Sequence, residues 1–316
     1  MCGVLSPASA TLVGMSQYGE PLHTIIHISD THFLADRGRL YGKVDTDVTL
    51  VQAFRQLEES GIRPEAIVFT GDIADLGEVD AYQRIRSIVE PAAQSLGARV
   101  LWVMGNHDDR ARLRTELLDE EPLTDPVVTS IRLGGLRLIA LDTSVPGFHH
   151  GELSIDQLAW LRAELAQPAP EGTIVALHHP PIPTTIPLMP ILELQRQHEL
   201  AAAIEGTDVR AIIGGHLHYS TTSTFAGVPV SVAAATCYTM DVAGPRGELR
   251  GLGGGQSFTL VHVYEDRIVH SIVPIGELPV VNTFPRDFVA GIESLSADGQ
   301  LDAFSRQVPP ISPPQG

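Results

Sequence analysis

Residues 25–32 read IIHISDTH, a short apolar run that leads directly into Asp30 and His32. Four later runs of β-branched and aliphatic residues also end in a carboxylate, an amide or an imidazole. The side chains that follow these four runs are Asp72, then Asn106 with His107, then His178, and finally His216 with His218. Runs of this length and composition are typical of strands that are buried on both faces of a sheet. The sequence therefore predicts a layered α/β fold.

The five polar strand ends are expected to lie together, because ligands in open α/β sheets bind beyond the carboxyl ends of the strands. Asp30 and His32 are two residues apart, which places them on the same side of an extended segment. Gly105 precedes Asn106 and allows a close backbone approach, and the amide oxygen can bind a metal without adding charge. Each motif alone is commonly an ordinary turn, but five in succession predict a metal centre, for which we prefer two ions.

Composition and charge limit which partners and which cellular compartment we expect. The 316 residues are 43% hydrophobic and carry 21 basic against 38 acidic side chains, a formal charge of −17. A field of that sign repels polyanions and argues against nucleic acid as a partner. Cys2 and Cys237 are too few for a disulfide framework. No signal peptide or transmembrane segment is recognisable, so we expect a cytoplasmic protein.

The pattern along the chain predicts one domain over residues 23–276, with a loose leader at 1–22 and a proline-rich tail at 277–316. Helical periodicity and end signals predict helices at 45–60, 78–96, 108–118, 154–166 and 191–205. Strands are predicted for a hairpin at 127–133 and 136–141, and for late segments at 221–225, 228–235, 257–264 and 268–274. We expect the late strands to form a second sheet packed on the first. The glycine-rich segment 243–256 is expected to be a loop near the site.

The order Asp-x-His, Gly-Asp, Gly-Asn-His-Asp, His and Gly-His-x-His resembles the calcineurin-like metallophosphoesterase superfamily through residues 24–240. Longer stretches narrow the resemblance to the actinobacterial class III cyclic nucleotide phosphodiesterases, and these are residues 27–32, 68–72, 102–109, 141–147, 178–183 and 235–239. The resemblance implies a four-layer α-β-β-α sandwich of two mixed β-sheets flanked by helices. It also implies a homodimer.

The same resemblance assigns a ligand set to this sequence. One metal would bind Asp30, His32 and His218, the other would bind Asn106, His178 and His216, and Asp72 would bridge both. An iron–manganese pair is implied. Mixed nitrogen and oxygen ligands also suit zinc or cobalt, so the ligand types alone leave the metal open.

Roles in catalysis and substrate binding follow from the resemblance as well. The residues expected to act in catalysis are His107, Asn106 and Asp72, with His107 steadying the phosphate charge or protonating the leaving oxygen. The residues expected to contact substrate are Asn106, His107, His149 and His150. Ser29 and Asp108 are candidates for orienting His32 and His107 through hydrogen bonds, although simple helix or turn caps are equally consistent with the sequence.

The predicted reaction is hydrolysis of 3′,5′-cyclic nucleotides, cAMP and also cGMP, to 5′-nucleotides by attack of a metal-bridging hydroxide. Two ions roughly 3.5–4 Å apart can clamp a phosphoryl group and acidify a water between them. Two alternatives stay open: a general metallophosphodiesterase acting on 2′,3′-cyclic nucleotides or other small diesters, and a non-catalytic scaffold of the same fold that binds protein partners. A tyrosinate ligand of the purple acid phosphatase kind is not expected, because Asp75 occupies that position.

Overall fold

The computed structural model describes residues 18–307. Its strands are β1 (His23–Ile28), β2 (Ala66–Thr70), β3 (Arg99–Val103), β4 (Val128–Leu133), β5 (Leu136–Leu141), β6 (Ser144–Val145), β7 (Phe148–Gly151), β8 (Thr173–Leu177), β9 (Val209–Gly214), β10 (Thr221–Phe225), β11 (Val228–Val232), β12 (Thr239–Met240), β13 (Gly251–Leu252), β14 (Ser257–Val263) and β15 (Ile268–Pro274). Its α-helices are α1 (Thr46–Ser60), α2 (Val79–Leu96), α3 (Arg110–Leu113), α4 (Ile155–Leu165), α5 (Gln197–Ile204), α6 (Arg286–Glu293) and α7 (Ala297–Gln300).

Two large mixed sheets form the centre of the compact unit Pro21–Gly276. The first has the order β15-β14-β1-β2-β3, in which β1, β2 and β3 are parallel. The second has the order β10-β11-β9-β8-β5-β4, in which β5, β8, β9 and β11 are parallel. The carboxyl ends of the buried parallel strands carry the polar residues singled out in the sequence.

The prediction that the late strands form a sheet of their own is wrong. The hairpin β10-β11 extends the second sheet beside β9, whereas β14-β15 extends the first sheet beside β1. Each hairpin pairs with a sheet edge that would otherwise present unpaired backbone N–H and C=O groups. Completing two existing edges therefore satisfies more backbone groups than a separate small sheet would.

Three apolar layers hold the sheets and helices together. One lies between the first sheet and helices α1 and α2, one between the two sheets, and one between the second sheet and helices α4 and α5. Representative buried residues of the three layers, in that order, are Leu50, Phe69 and Tyr82; Val68, Leu138 and Ile213; and Ile139, Leu161 and Leu200. The layering confirms the predicted four-layer α-β-β-α sandwich.

Helix ends mostly agree with the sequence. Helix α4 begins with a capping box between Ser154 and Gln157, which satisfies backbone N–H groups at its first turn. The helix predicted at 191–205 is shorter, because Arg196 adopts a left-handed backbone (φ 50°) and α5 starts only after it. The helix predicted at 108–118 is the short α3 followed by a π-helical turn over Arg114–Leu118.

Residues 277–307 contain more regular structure than the sequence analysis expected of a tail. Helices α6 and α7 form there, and the rings of Phe284, Phe288 and Phe304 pack against one another. The i, i+4 spacing of the first two phenylalanines was the available signal. The domain boundaries at 22/23 and 276/277 stay a prediction. No helix within residues 18–307 is long and apolar enough to cross a membrane.

Candidate metal centre

The seven side chains predicted as ligands converge where the carboxyl ends of both sheets meet. Strands β1, β2 and β3 deliver Asp30 with His32, Asp72 and Asn106, and strands β8 and β9 deliver His178 and His216 with His218. The turns that carry them are tied together, since the amide of Asp30 donates to the carbonyl of Gly71 (3.1 Å) and that of Gly215 to the carbonyl of His178 (3.0 Å). All seven are buried except Asn106, which is half-buried.

Two glycines allow this close approach of strand ends. A Cβ atom at Gly105 would overlap the backbone of Asp72, and one at Gly215 would overlap the hydroxyl of Ser29. Only glycine lets the backbones come this near. The Gly-Asn-His and Gly-His-x-His motifs therefore have a steric reason for their glycines.

Backbone strain is concentrated at the same place. Five of the seven residues adopt φ angles between 46° and 68°, and they are Asp30, His32, Asp72, His216 and His218. Non-glycine residues in this region each cost on the order of 1–3 kcal/mol and cluster at functional sites, where surrounding contacts hold them. Here the hydrogen-bonded strand-end turns supply those contacts.

Asp72 lies between histidines of the two sheets. Its Oδ2 lies 3.4 Å from His32 Nε2 and 3.3 Å from His178 Nε2, so one carboxylate oxygen faces two histidines from different sheets. Its Oδ1 accepts a hydrogen bond of 2.9 Å from the backbone N–H of His107, which fixes the carboxylate plane.

One set of ligand atoms gathers on the side of Asp72 that faces His32. The donor atoms of Asp30, His32, Asp72 and His218 all lie within 4.8 Å of one another. His32 Nε2 is 3.2 Å from His218 Nε2, and His218 Nε2 is 3.4 Å from Asp30 Oδ1. Two ligands bound at right angles and about 2.1 Å from one ion are about 3 Å apart, which matches these separations.

A second set gathers on the other side of Asp72. His178 Nε2 lies 3.1 Å from Asn106 Oδ1, and the ring centroid of His216 lies 5.0 Å from that of His178. Within residues 18–307, no group forms a hydrogen bond with the buried His216 Nε2. A buried nitrogen without a partner is costly unless something occupies the space before it. A bound cation would satisfy this nitrogen.

Outer hydrogen bonds fix which ring nitrogen faces the centre. His178 Nδ1 donates to the carbonyl oxygen of Thr70 (2.7 Å), His218 Nδ1 to that of Tyr238 (3.1 Å), and His32 Nδ1 to the Asp75 carboxylate (2.8 Å). These bonds leave the Nε2 lone pairs directed inward. With both rings neutral, the lone pairs of His32 and His218 would face each other at 3.2 Å, so a cation or a proton must lie between them, and the residues fit a metal.

Charge distribution in the cluster agrees with that interpretation. Burial alone would raise the pKa of Asp72, but the neighbouring His178 and other histidines hold it well below its usual value. Burial alone would lower the pKa of His178, but Asp72, Asp30 and the Thr70 carbonyl raise it to about 9. Burial and the charge of His178 lower the pKa of His216 to about 3. In the absence of metal, a proton on His178 takes the place of a cation.

His107 lies beside these two sets rather than within them. Its Nδ1 donates to the backbone carbonyl of Asp75 at 2.8 Å, and its ring packs edge-on to that of His32 with centroids 4.8 Å apart. The ring is about one third exposed, with 29% of its side-chain surface accessible. The structure thus places a partly exposed imidazole next to the cluster.

His149 and His150 make different contacts, because the side chains of neighbouring residues on a strand point to opposite faces. His149 Nδ1 lies 2.9 Å from Asn106 Nδ2, so the amide donates to the ring and turns its Oδ1 toward His178. The described contacts of His150 are instead with Glu152 at 3.6 Å and with the ring of Phe148.

His179 follows His178 but is engaged elsewhere. Its Nε2 donates to the carbonyl of His149 (3.1 Å), and its Nδ1 accepts from the hydroxyl of Thr143 (2.8 Å). Both ring nitrogens are thus used, and His179 supports the loop that carries His149.

The prediction that Ser29 and Asp108 orient His32 and His107 is wrong. Ser29 donates to the carbonyl of Thr70, and Asp108 accepts from backbone N–H groups of the two neighbouring turns and from the Tyr82 hydroxyl. The partner of His32 is Asp75, which in the sequence indicated only that a tyrosinate ligand is not expected at this position. Its spacing of three residues after Asp72 was the signal that could have identified it.

Comparison with known proteins identifies the family. The sequence model of the calcineurin-like phosphoesterases matches residues 23–220. The chain belongs to the calcineurin-like phosphoesterase family. It is 55% identical over 269 residues to a cAMP/cGMP dual specificity phosphodiesterase of Mycobacterium tuberculosis, with 85% of each protein covered. It is 51% identical over 287 residues to a probable cyclic nucleotide phosphodiesterase of Rhodococcus erythropolis, covering 91% of this chain and 95% of that protein.

Two solved phosphatase structures share the fold. A dimetal phosphatase from Danio rerio superposes with a TM-score of 0.60 at 18% identity, covering 80% of this chain and 96% of that one. A purple acid phosphatase from yellow lupin gives a TM-score of 0.59 at 13% identity, covering 80% of this chain and 51% of that one. At these identities the likeness shows the phosphoesterase fold alone.

Proposed function

We propose that this protein is a metal-dependent phosphodiesterase that hydrolyses 3′,5′-cyclic nucleotides, cAMP and cGMP, to 5′-nucleotides. The observation that carries the proposal is the pair of inward-facing Nε2 atoms of His32 and His218, 3.2 Å apart, beside the carboxylate of Asp72. Family membership makes a phosphoester the reacting group. The names of the relatives at 55% and 51% identity support a cyclic nucleotide as the substrate.

The candidate ligands would hold two ions, and Asp72 would contribute to both. Asp30, His32 and His218 would hold one ion, and Asn106, His178 and His216 the other, with Asp72 Oδ2 between them. When bound, the ions would acidify a water and neutralise phosphate charge. We propose iron and manganese, with zinc or cobalt as alternatives that the same mixture of imidazole and oxygen ligands accepts.

His107 is suited to proton transfer. Because its Nδ1–H is fixed on the carbonyl oxygen of Asp75, a further proton can be added only at Nε2. That proton can stabilise the phosphate charge and then pass to the departing ribose oxygen. General acid catalysis by such a group contributes roughly 10²–10⁴ in rate.

Asn106 would contribute to both metal and substrate binding, and His149 would keep it oriented. The amide donates to His149 Nδ1, which leaves its carbonyl oxygen free to act as a ligand. A substrate contact by His150 stays a prediction, since its described partners are Glu152 and Phe148.

The test begins by stripping the protein with a chelator and restoring Mn²⁺ or Fe²⁺. Turnover of 3′,5′-cAMP, 3′,5′-cGMP, 2′,3′-cAMP, an aryl phosphodiester and an aryl phosphomonoester is then compared. We expect both 3′,5′-cyclic nucleotides to be hydrolysed only after metal is restored. Turnover of 2′,3′-cAMP or the aryl diester alone would favour the general phosphodiesterase. Turnover of monoesters alone would contradict the proposal, and the absence of stoichiometric metal would favour a scaffold.

A pair of variants makes the test specific to the site. Asp72→Ala should abolish hydrolysis and disturb both metals, because its Oδ2 faces histidines of both sets. Asp266→Ala removes an aspartate from the turn between β14 and β15 and serves as the matched control. Near-normal activity of Asp72→Ala would contradict a shared carboxylate.

We further propose that the protein acts in the cytoplasm as a homodimer. Family likeness is the support for the dimer, and the two cysteines of the sequence, too few for a disulfide framework, suit a reducing compartment. Sedimentation velocity of the full chain tests the first proposal, and cell fractionation tests the second.

A further inference from the structure

A cleft of about 400 Å³ is lined in part by Tyr238, whose ring contacts the proposed metal ligand His218. Its lining comes from the loop after β1 and from the hairpin β12-β13, and consists of Tyr41, Lys43, Val44, Tyr238, Met240, Leu249, Gly251, Leu252 and Gly253. The volume falls within the roughly 300–1,000 Å³ of small-ligand pockets. The cleft includes part of the glycine-rich segment whose role the sequence left open.

Tyr238 connects this cleft to the metal centre. Its ring packs on that of His218 with centroids 4.5 Å apart, and its backbone carbonyl accepts the His218 Nδ1–H. The cleft therefore begins one side chain away from a proposed metal ligand. Gly251 makes room for the tyrosine, because a Cβ there would lie 2.7 Å from Tyr238 Cδ2.

The walls of the cleft are aromatic and aliphatic, and they are exposed. Tyr41 packs edge-on to Tyr238 at 5.5 Å between centroids, yet 71% of its surface is accessible. Leu249 and Leu252 on the opposite hairpin are also exposed, at 50% and 42%. Exposed apolar side chains grouped around a concave surface mark a binding site.

We propose that this cleft binds the purine base of the nucleotide, with Tyr41 stacking on the base while the phosphate occupies the metal centre. This inference rests on the proposed function. A base has a flat apolar face and stacks well on aromatic rings. The phosphate and base of one substrate would thus be bound on either side of the His218 ring.

A second cleft beside Asn106 suits a base less well. It measures about 250 Å³ and has no aromatic ring among its described lining residues. Its one guanidinium, Arg110, is already bonded to the Asp142 carboxylate at 2.8 Å and to the Ser144 carbonyl at 2.9 Å. Because the first cleft offers two tyrosine rings and the second offers none among its described lining residues, we place the base in the first, which we call the Tyr41 cleft.

The polar groups of the Tyr41 cleft favour recognition of both purines. Lys43, which forms no ion pair within the described part of the chain, can donate to ring nitrogens that adenine and guanine share. The tyrosine hydroxyls, 3.4 Å apart, can each donate or accept, and none of the described lining residues is acidic. We therefore expect kcat/KM for cAMP and cGMP to differ by less than about 100-fold, as in a site without a dedicated partner for one base.

The test measures KM for cAMP together with inhibition by 5′-AMP and by inorganic phosphate. Both inhibitors carry the phosphate, but only AMP carries the base. Tyr41→Ala should raise KM for cAMP and Ki for AMP about tenfold, the loss expected for one stacking ring, with Ki for phosphate unchanged. Tyr41→Phe keeps the ring and should recover most of that loss.

Obstructing each cleft in turn provides the matched comparison. Gly253→Trp fills the Tyr41 cleft, and no atom lies within 4 Å of the Cβ that the substitution adds. Thr124→Trp places the same side chain at an exposed position of the second cleft. We expect Gly253→Trp to raise Ki for AMP without changing Ki for phosphate. We expect Thr124→Trp to leave Ki for AMP unchanged.

The outcomes separate this inference from the proposed function. If wild-type protein hydrolyses cAMP and Tyr41→Ala and Gly253→Trp keep normal values for cAMP and AMP, the base lies elsewhere and the inference is wrong. An effect of Thr124→Trp alone would place the base in the second cleft. If metal-restored wild-type protein does not hydrolyse cyclic nucleotides, the proposed function fails and the inference with it.

Discussion

Asp75 offers a sharp test of the proposed metal centre, because His32 is the only proposed ligand among the described residues with which its carboxylate forms a hydrogen bond. Its other histidine neighbour is His107, 3.6 Å away, which is not a proposed ligand. Its carboxylate accepts a 2.8 Å hydrogen bond from His32 Nδ1, and the two side chains are only 17% and 4% exposed. Burial alone would raise the pKa of Asp75, but the hydrogen bond and charge of His32 lower it, so the group is ionised at neutral pH. Such a partner orients the imidazole and raises its basicity as a ligand.

The magnitude follows from this single charge-assisted hydrogen bond. Such bonds contribute about 1.5–3 kcal/mol and neutral ones about 0.5–1.5 kcal/mol. Asp75→Asn keeps an acceptor but loses the charge, a change of about 1 kcal/mol that weakens metal binding about fivefold to tenfold. Asp75→Ala loses the acceptor as well, and weakening of about 10–100-fold is expected. The effect should be confined to the ion held by Asp30, His32 and His218.

Calorimetric titration of the chelator-stripped protein with Mn²⁺ measures both sites in one experiment. One of two binding phases should weaken in the order wild type, Asn, Ala, while the other phase stays constant. Glu78→Gln is the control, because that carboxylate accepts from the Ala35 amide and contacts no histidine of the centre. Equal weakening of both phases, or none in Asp75→Ala, would refute the assignment.

Three further predictions concern protonation, catalysis and stability. Because the pKa of His178 is raised to about 9, metal binding near pH 7 should displace its proton. The apparent affinity of the proposed site that includes His178 should then rise about tenfold per pH unit toward pH 9 and level off above it. Burial alone would lower the pKa of His218, but Cys237 and Asp30 hold it well above its usual value, so the site that includes His218 should release a proton of its own. Calorimetry in buffers of different ionisation enthalpy measures the released protons. His107→Ala should lower kcat about 10²–10⁴-fold with both metals retained by elemental analysis, and loss of metal would contradict its role. Asp208→Ala should lower the free energy of unfolding, measured by urea denaturation, by about 3–5 kcal/mol, because it leaves the buried Arg137 guanidinium without its carboxylate. Arg137 Nη2 lies 2.9 and 3.1 Å from the two carboxylate oxygens of Asp208. Unfolding at the wild-type midpoint would show that this ion pair is dispensable.

The ligand-bearing strands could be predicted because their signals are local. A buried parallel strand is recognisable as a continuous apolar run, and its carboxyl end in this architecture faces the ligand. Asp30, Asp72 and His216 were therefore identifiable without any knowledge of sheet order. The bridging role proposed for Asp72 came only from the family resemblance, and the surroundings of this carboxylate depend on histidines from both sheets.

The remaining features depend on contacts between distant segments, which no local pattern encodes. The late hairpins have the same alternating pattern whichever sheet edge they join, so their division between two sheets was not predictable. Asp75 was missed as a partner because a carboxylate three residues after Asp72 is also an ordinary turn residue. Ser29 and Asp108 were wrongly chosen because sequence proximity to a histidine does not place a side chain against its ring.

The proposed metal ligands lie at strand ends, whereas the proposed base cleft is built from loops and a short hairpin. This separation bears on which substitutions would alter activity and which would alter substrate preference. The proposed metal ligands are fixed by strand ends, with strained backbones and inward nitrogens held by Thr70, Asp75 and Tyr238. A substitution there should change the reaction itself, because these side chains are the proposed ligands. The proposed base cleft is formed by the loop at Tyr41 and the hairpin β12-β13, which carry no proposed ligand. Tyr238 belongs to both, since its carbonyl orients His218 while its ring lines the cleft. Changes at Tyr41 should therefore alter substrate preference with the metals intact, whereas changes that move the Tyr238 backbone should alter both together.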